Sequence, residues 1–435
     1  MTDWIGATFT GDAGWDHLET LVDVGGRMAG SEGEREAAAA TRDALAAAGA
    51  RDAHLEEFPI QGWERNSAAI EAGGGTHECI ALPRSPSASA TGSLVDVGHG
   101  LPADFEAAGD LEGAVVMAAS NVPDWHDRFV HRREKYYYAV ASGAAAFVFR
   151  NHVEGCLAAT GSVGTDAAPI GEIPAVGVSK EVGARLRRRE AGEEVTVDVE
   201  ADVHDATSQN VHADLGPDTE EAVLVTSHVD AHDIAEGAAD NGAGTAVVVQ
   251  VAEALAAREA ELDTRVRFVC FGAEEVGLRG SHHDAGARDL AAVRSVVNND
   301  GVGRGRNLAL ICNGFEDLEA AGDAVADRFD HPVGTVPRLG PHSDHWPYVA
   351  RGVPGYQVVS ETDDEGRGWG HTRADTLDKL DVRTIREQAI LVTELVVHLA
   401  DADTEVGRRA PDDVAAQLEA EDLAEGMKVT GDWPY

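Results

Sequence analysis

The sequence predicts an α/β fold, a mostly parallel or mixed sheet flanked by helices, with a small β-rich insert. Three observations lead there. From Ala222 onward, continuous apolar runs alternate with helix-length segments, the rhythm of a largely parallel buried sheet. Between about 88 and 203 the runs are short and separated by Gly-rich turns, which marks a separate module. Finally, 435 residues exceed the size of about 250–300 at which one core stops growing, and 43% hydrophobic residues suffice to fill more than one.

In chain order, 16–49 reads as helical with a polar break at 30–33, before an alanine-rich run to Ala50. The Pro- and Ser-rich stretch 82–92 has the composition of a linker. Short β-type runs follow at 114–117, 146–149, 173–177 and 195–199. The later strands are expected at 222–226, 266–271, 295–297 and 308–311, with a long amphipathic helix over 244–262 and another over 382–400. The organisation expected is therefore 1–87, insert 88–203, main part 204–402 and an acidic, helical tail 403–435.

Charge narrows the partners. The 35 Lys and Arg stand against 77 Asp and Glu, a net charge of −42. That excess opposes binding to phosphate backbones or anionic membrane surfaces. Only four residues are lysine (Lys135, Lys180, Lys379 and Lys428) against 31 arginines, and an acidic, lysine-poor surface suits a cytosol of molar salt. No apolar stretch of about 18 residues is present and the first twenty residues lack a signal-peptide pattern, so a cytoplasmic protein is expected. Cys79, Cys156, Cys270 and Cys312 are widely spaced and read as reduced thiols. Oligomeric state is left open.

The chemistry-bearing residues fall at the ends of the expected strands, where open α/β sheets bind ligands. Ser227-His228-Val-Asp230 follows the strand 222–226; a carboxylate two residues from a histidine can hold its second ring nitrogen. Asp240 opens the next helix and taken alone reads as a cap or turn aspartate, its functional alternative being a carboxylate bridging two metal ions. Glu274 and Glu275 follow the strand 266–271; adjacent acids there repel unless a cation or a shared proton relieves them, and the pair can divide ligation from proton transfer. Asp300 follows the strand 295–297, and His371 lies in a late loop. His228, Asp240, Glu275, Asp300 and His371 form an oxygen and imidazole set without thiolate, suited to Zn²⁺ or a similar divalent ion; five ligands suit two ions sharing one carboxylate.

This ordered set resembles the di-zinc peptidase family of aminopeptidase Y, leucyl aminopeptidase and glutamate carboxypeptidase, which also contains the catalytically silent transferrin receptor. The resemblance rests on 227–230, 239–244, 271–281, 299–300, 342–345 and 371–378, and spans roughly 15–80 and 205–402. It implies a zinc exopeptidase fold and two zinc ions per chain. His228 and Asp300 would hold one ion, Glu275 and His371 the other, and Asp240 would bridge. Asp230 would orient His228, and Glu274 would be the general base acting on peptide substrates. A cis peptide is implied after Asp240. The insert resembles the protease-associated (PA) domain, on 143–148 and 173–179.

One departure matters: relatives often carry a tyrosine before the last histidine, and here Gly370 stands there after Trp369. His345 and Tyr348 are the alternative oxyanion donors. Aminopeptidase is the expected activity. Carboxypeptidase remains open, as does an aminoacylase or deacetylase, although Asp240-Asn241-Gly242 departs from the Asp-Met-Lys-Gly usual in that group. An inactive scaffold on the same fold is a further alternative.

Overall fold

The computed structural model describes residues 2–362 and 368–435. The chain forms two compact units: Met1–Ile60, Ala206–Asp363 and Asp375–Leu418 make the first, and Gln61–Asp205, Asp364–Ala374 and Glu419–Tyr435 the second. It crosses between them within two long strands, Arg51–Ala72 and Glu194–Leu215.

The first unit is built on a mixed sheet. At its centre Gly355–Ser360, Val293–Asn299, Ala222–His228 and Arg265–Phe271 lie side by side and parallel. Antiparallel strands flank them: Leu308–Ile311 pairs with Gly355–Ser360, and 211–215 pairs with Arg265–Phe271. Register decides what meets at the carboxyl ends. His228 pairs with Phe271, Thr226 with Asn298, and Asn299 with Val358, so the segments after three strands emerge together.

Helix Ala243–Ala256 packs against Ala13–Val24 and Val382–Ala400. An amphipathic helix over 244–262 was expected; the helix ends earlier, and neighbours bury it on nearly every side, so its Ala- and Val-rich sequence carries little polar face. Its first turn demands glycine: a Cβ on Gly244 would meet the Asn299 carbonyl at 2.1 Å and the Asn241 side chain at 2.2 Å. The N-terminal helical region breaks earlier than expected. Gly25 and Gly26 take left-handed φ angles of 60° and 51°, and helix Glu32–Ala47 restarts behind Ser31, whose side chain accepts from the Glu34 amide.

In the second unit Ala88–Asp96, Val115–Ala119, Ala146–Arg150 and Ala175–Val178 form a parallel set. Helices Pro102–Ala108, Arg132–Ala141 and Lys180–Arg189 accompany it, so the insert is α/β rather than purely β. The polar sequences of two of these helices hid them from an apolar-run reading. Val116, Ala118, Tyr136, Phe147 and Phe149 form its core. The linker-like stretch is buried over 82–85: Ser85 is fully buried, its carbonyl accepting from the Trp63 indole at 2.9 Å and its hydroxyl from the Ala175 amide at 2.9 Å. The tail forms helices Pro411–Ala420 and Ala424–Thr430. All four cysteines are free, and among the described residues no helix is long and apolar enough to cross a membrane.

Candidate active site

His228 ends its strand with 1% of its surface exposed. Its Nδ1 faces Asp230, at 3.1 Å from the backbone oxygen and 3.4 Å from the carboxylate. Its Nε2 faces Asp240 at 3.3 Å and Asp300 at 3.7 Å. These three ligand atoms all lie within 4.8 Å of one another. A tetrahedral zinc site with bonds of about 2.0–2.1 Å spaces its ligands by about 3.3 Å, so the donor set fits a zinc-sized ion.

Asp230 is fully buried and does more than orient the imidazole. Its two carboxylate oxygens accept from the Glu274 and Glu275 amides at 3.0 and 3.1 Å, fixing the turn that carries both glutamates. Glu34 supports the same turn, accepting from the Ala273 amide at 2.9 Å, the Gly30 amide at 2.7 Å and the Ser208 hydroxyl at 2.7 Å. Burial, with Asp230 adding repulsion, pushes its carboxyl up to about 8. The Glu275 carboxylate lies 2.9 Å from His232 Nε2.

The Asp240 loop is held from two sides. Asp375 accepts from the Ala239 and Asp240 amides at 2.8 and 3.1 Å. Arg27, fully buried, donates to the carbonyls of Leu21, Val229, Glu236 and Gly237 at 2.7–3.0 Å. Burial lowers its guanidinium to about 10, while Asp375, Asp230 and Asp240 pull the other way. The Asp240–Asn241 peptide is cis, as the resemblance implied. Asn241 donates to the Asn299 carbonyl at 2.9 Å, tying this loop to the third strand end. Asp300 is positioned by a relay: Thr226 donates to Asn298 at 2.7 Å, Asn298 donates to Ser343 at 2.7 Å, and Ser343 donates to Asp300.

Burial raises the Glu274 carboxyl well above the usual carboxylate range, with Glu275, Asp300 and Asp344 adding to it and His228 opposing. Asp344, itself fully buried, is pushed up to about 8 by burial, with Asp300 and Asp230 contributing. Burial lowers the His228 imidazole, but the acids around it prevail and raise it overall. So many acids in one buried place call for divalent cations or shared protons.

The first unit thus brings together His228, Asp230, Asp240, Glu274, Glu275 and Asp300. His371 belongs to the second unit, where it is buried with a left-handed φ of 54° and its carbonyl accepts from the Thr160 amide at 2.9 Å. Of the two expected oxyanion donors, Tyr348 is misplaced for the role: it is fully buried and its hydroxyl is committed to Asp284, which Arg288 also engages. His345 is fully buried, and burial lowers its imidazole to about 4, so it is neutral.

His232, Glu34, Arg27 and Ser343 were not singled out as functional from sequence. His232 had a signal, a second histidine four residues after His228, and Ser31-x-x-Glu34 reads as a capping box. Arg27 had none. Ser343→Ala is expected to lower activity or metal affinity about tenfold, the usual size for a group supporting a ligand; titration of the metal-free variant with zinc checks it.

Residues 210–396 match the model of peptidase family M28, and residues 90–186 match the PA domain. Over residues 210–396 the chain carries the M28 peptidase pattern. The chain is therefore a metallopeptidase carrying a PA insert. It is 28% identical to aminopeptidase YwaD of Bacillus subtilis over 359 residues, 78% of this chain and 72% of that protein. It is 26% identical to a probable leucine aminopeptidase 2 of Aspergillus fumigatus over 315 residues, 68% of this chain but only 60% of the relative's length. Among solved structures, the aminopeptidase from Aneurinibacillus sp. strain AM-1 superposes with a TM-score of 0.68 at 26% identity, covering 94% of this chain and 98% of that one. BSAP, a zinc aminopeptidase from Bacillus subtilis, shares the fold with a TM-score of 0.71 at 24% identity over 91% of this chain and 96% of that one.

Proposed function

We propose that this M28 enzyme is a zinc-dependent aminopeptidase that hydrolyses peptide bonds at a two-metal site. The observation that carries the reading is His228 Nε2 facing the carboxylates of Asp240 and Asp300 while Asp230 holds Nδ1. His228 and Asp300 would hold one ion and Glu275 and His371 the other, with Asp240 shared between them. Zinc bound there supplies Lewis acidity toward the scissile carbonyl and lowers the pKa of water. Glu274 takes the proton of the attacking water and returns it to the leaving amine. Asp230 keeps Glu274 in place through its amide and keeps His228 in one tautomer. The oxyanion donor is not assigned to Tyr348, whose hydroxyl is engaged elsewhere.

The aminopeptidase direction draws on relatives named aminopeptidases. The test is a substrate panel in molar KCl: aminoacyl-arylamides, N-blocked dipeptides and acyl-amino acids, with and without chelator. Hydrolysis of free-amine substrates, abolished by chelator and restored by zinc, with about two zinc ions per chain, is the expected result. Preference for blocked dipeptides reassigns the enzyme as a carboxypeptidase, and preference for acyl-amino acids as an aminoacylase. Absence of both zinc and turnover points to a scaffold.

The net charge of −42 with four lysines supports a salt-rich cytosol as the setting. The melting temperature is expected to climb as KCl is raised toward molar concentrations; a melt independent of salt sinks that reading and leaves the peptidase site untouched.

A further inference from the structure

Three elements of the first unit converge on a second group of metal-ligating side chains, none of which the mechanism uses. Strand Arg51–Ala72 supplies Glu56, strand Glu194–Leu215 supplies His212, and helix Arg279–Ala287 supplies Asp284. One ligand atom from each lies within 4.8 Å of the other two. The closest approach, His212 Nε2 to a Glu56 carboxylate oxygen, is 3.1 Å, near the spacing of about 3.3 Å between neighbouring ligands of tetrahedral zinc.

Each ligand is held ready. The buried His212 ring stacks on His54, with centroids 5.1 Å apart and planes 20° from parallel, so its Nε2 has one direction. Asp284, also buried, accepts two bonds from Arg288 and one from the Tyr348 hydroxyl, which leaves one of its about four lone-pair positions open. That paired contact cancels the Arg288 charge, which would otherwise oppose a cation. Burial works against the Asp284 carboxylate, but Arg288 and Tyr348 prevail and hold it low; the His212 hydrogen bond does the same for Glu56, so both acids are ionised. A cavity of about 310 Å³ adjoins the group and gives room for a water ligand. Its charged lining, Asp52, Glu56, Asp214 and Asp284 against Arg267 and Arg288, carries two more negative than positive charges, the complement of a divalent ion.

We propose that Glu56, His212 and Asp284 bind a further divalent ion of the zinc type, with water completing the shell, and that this ion clips both strands to the helix following the Glu274–Glu275 turn. An imidazole with two carboxylates is a ligand set zinc accepts, and an ion held by three separate elements binds the folded chain only, so it stabilises the fold. The proposal is independent of the peptidase reading, since no ligand is shared with the set around His228.

The test is a zinc titration of the chelator-stripped full chain and of its Glu56→Gln variant, run in molar KCl to screen loose association of cations with the acidic surface. Glu56 is half-buried, and glutamine keeps its shape while removing the charge. The unsubstituted protein is expected to hold one more zinc ion per chain than Glu56→Gln. At zinc about a hundredfold above the Kd of this site, its melting temperature should gain about 5 °C more than the variant's. His212→Ala should lose the same ion, its count read per folded chain by circular dichroism because the ring it removes is buried. Equal zinc counts and equal melting gains in the unsubstituted protein and Glu56→Gln overturn the proposal and leave Glu56 and His212 as a plain ion pair. Zinc at the His228 site enters both counts alike, so failure of the peptidase reading would lower both and leave their difference intact.

Discussion

Glu274→Gln is expected to cut kcat by about a thousandfold or more while leaving zinc content unchanged. The size follows from the role: a positioned general base contributes roughly 10²–10⁴-fold, and a carboxamide cannot accept the water's proton. The substitution preserves shape and the amide that donates to Asp230 at 3.0 Å, so the neighbouring turn should keep its form. It also removes one acid from a crowded buried group, since Glu275, Asp300 and Asp344 all push the Glu274 carboxyl upward. Stability should therefore hold or improve, and a thermal melt run beside the kinetics separates a chemical defect from a folding one. Turnover within tenfold of the parent enzyme would remove Glu274 from the mechanism.

Arg27→Met is expected to destabilise the protein by about 3–5 kcal/mol, the usual cost of deleting one partner from a buried charge network. Methionine keeps the length and apolar stem but offers no donor. The carbonyls of Leu21, Val229, Glu236 and Gly237 then lose the donor that Arg27 gives them, although that of Gly237 still accepts from the Gly242 amide at 3.0 Å. Asp375, Asp230 and Asp240 lose the cation that faces them. Gly237, where a Cβ would come within 2.3 Å of Ala231, leaves the loop no slack to repack. Denaturant unfolding measures the loss, and zinc retention should fall with it because the loop carries Asp240. A change under about 1 kcal/mol would show that water or repacking replaces the guanidinium.

The strands and the acids at their ends were legible in the sequence because both depend on local pattern. The short run 295–297 marks its strand from local pattern, and Asp300 follows it within three residues by covalent continuity. The same holds for the family motifs around His228, Glu274 and His371, whose spacing along the chain carried the resemblance later matched over 210–396. Helix Lys180–Arg189 escaped notice because its apolar face is only two buried residues wide, Gly183 and Leu186.

What the sequence by itself determined is the inventory: two histidines and a set of carboxylates placed after successive strands, on a chain long enough for two units. Tertiary structure alone decided their service. Strand register set His228 beside Phe271 and Asn298 beside Thr226, and only that pairing lets Thr226, Asn298 and Ser343 hand a hydrogen bond to Asp300. Arg27 and Glu34 became supports of the site through contacts that no pattern of neighbours encodes, about 200 and 239 positions away along the chain. Tyr348 lost its expected role for the same reason: a hydroxyl serves whichever acceptor the packed core presents, and here that is Asp284. Local sequence specifies which groups exist and which element bears them, whereas burial and long-range hydrogen bonding decide which of them face one another.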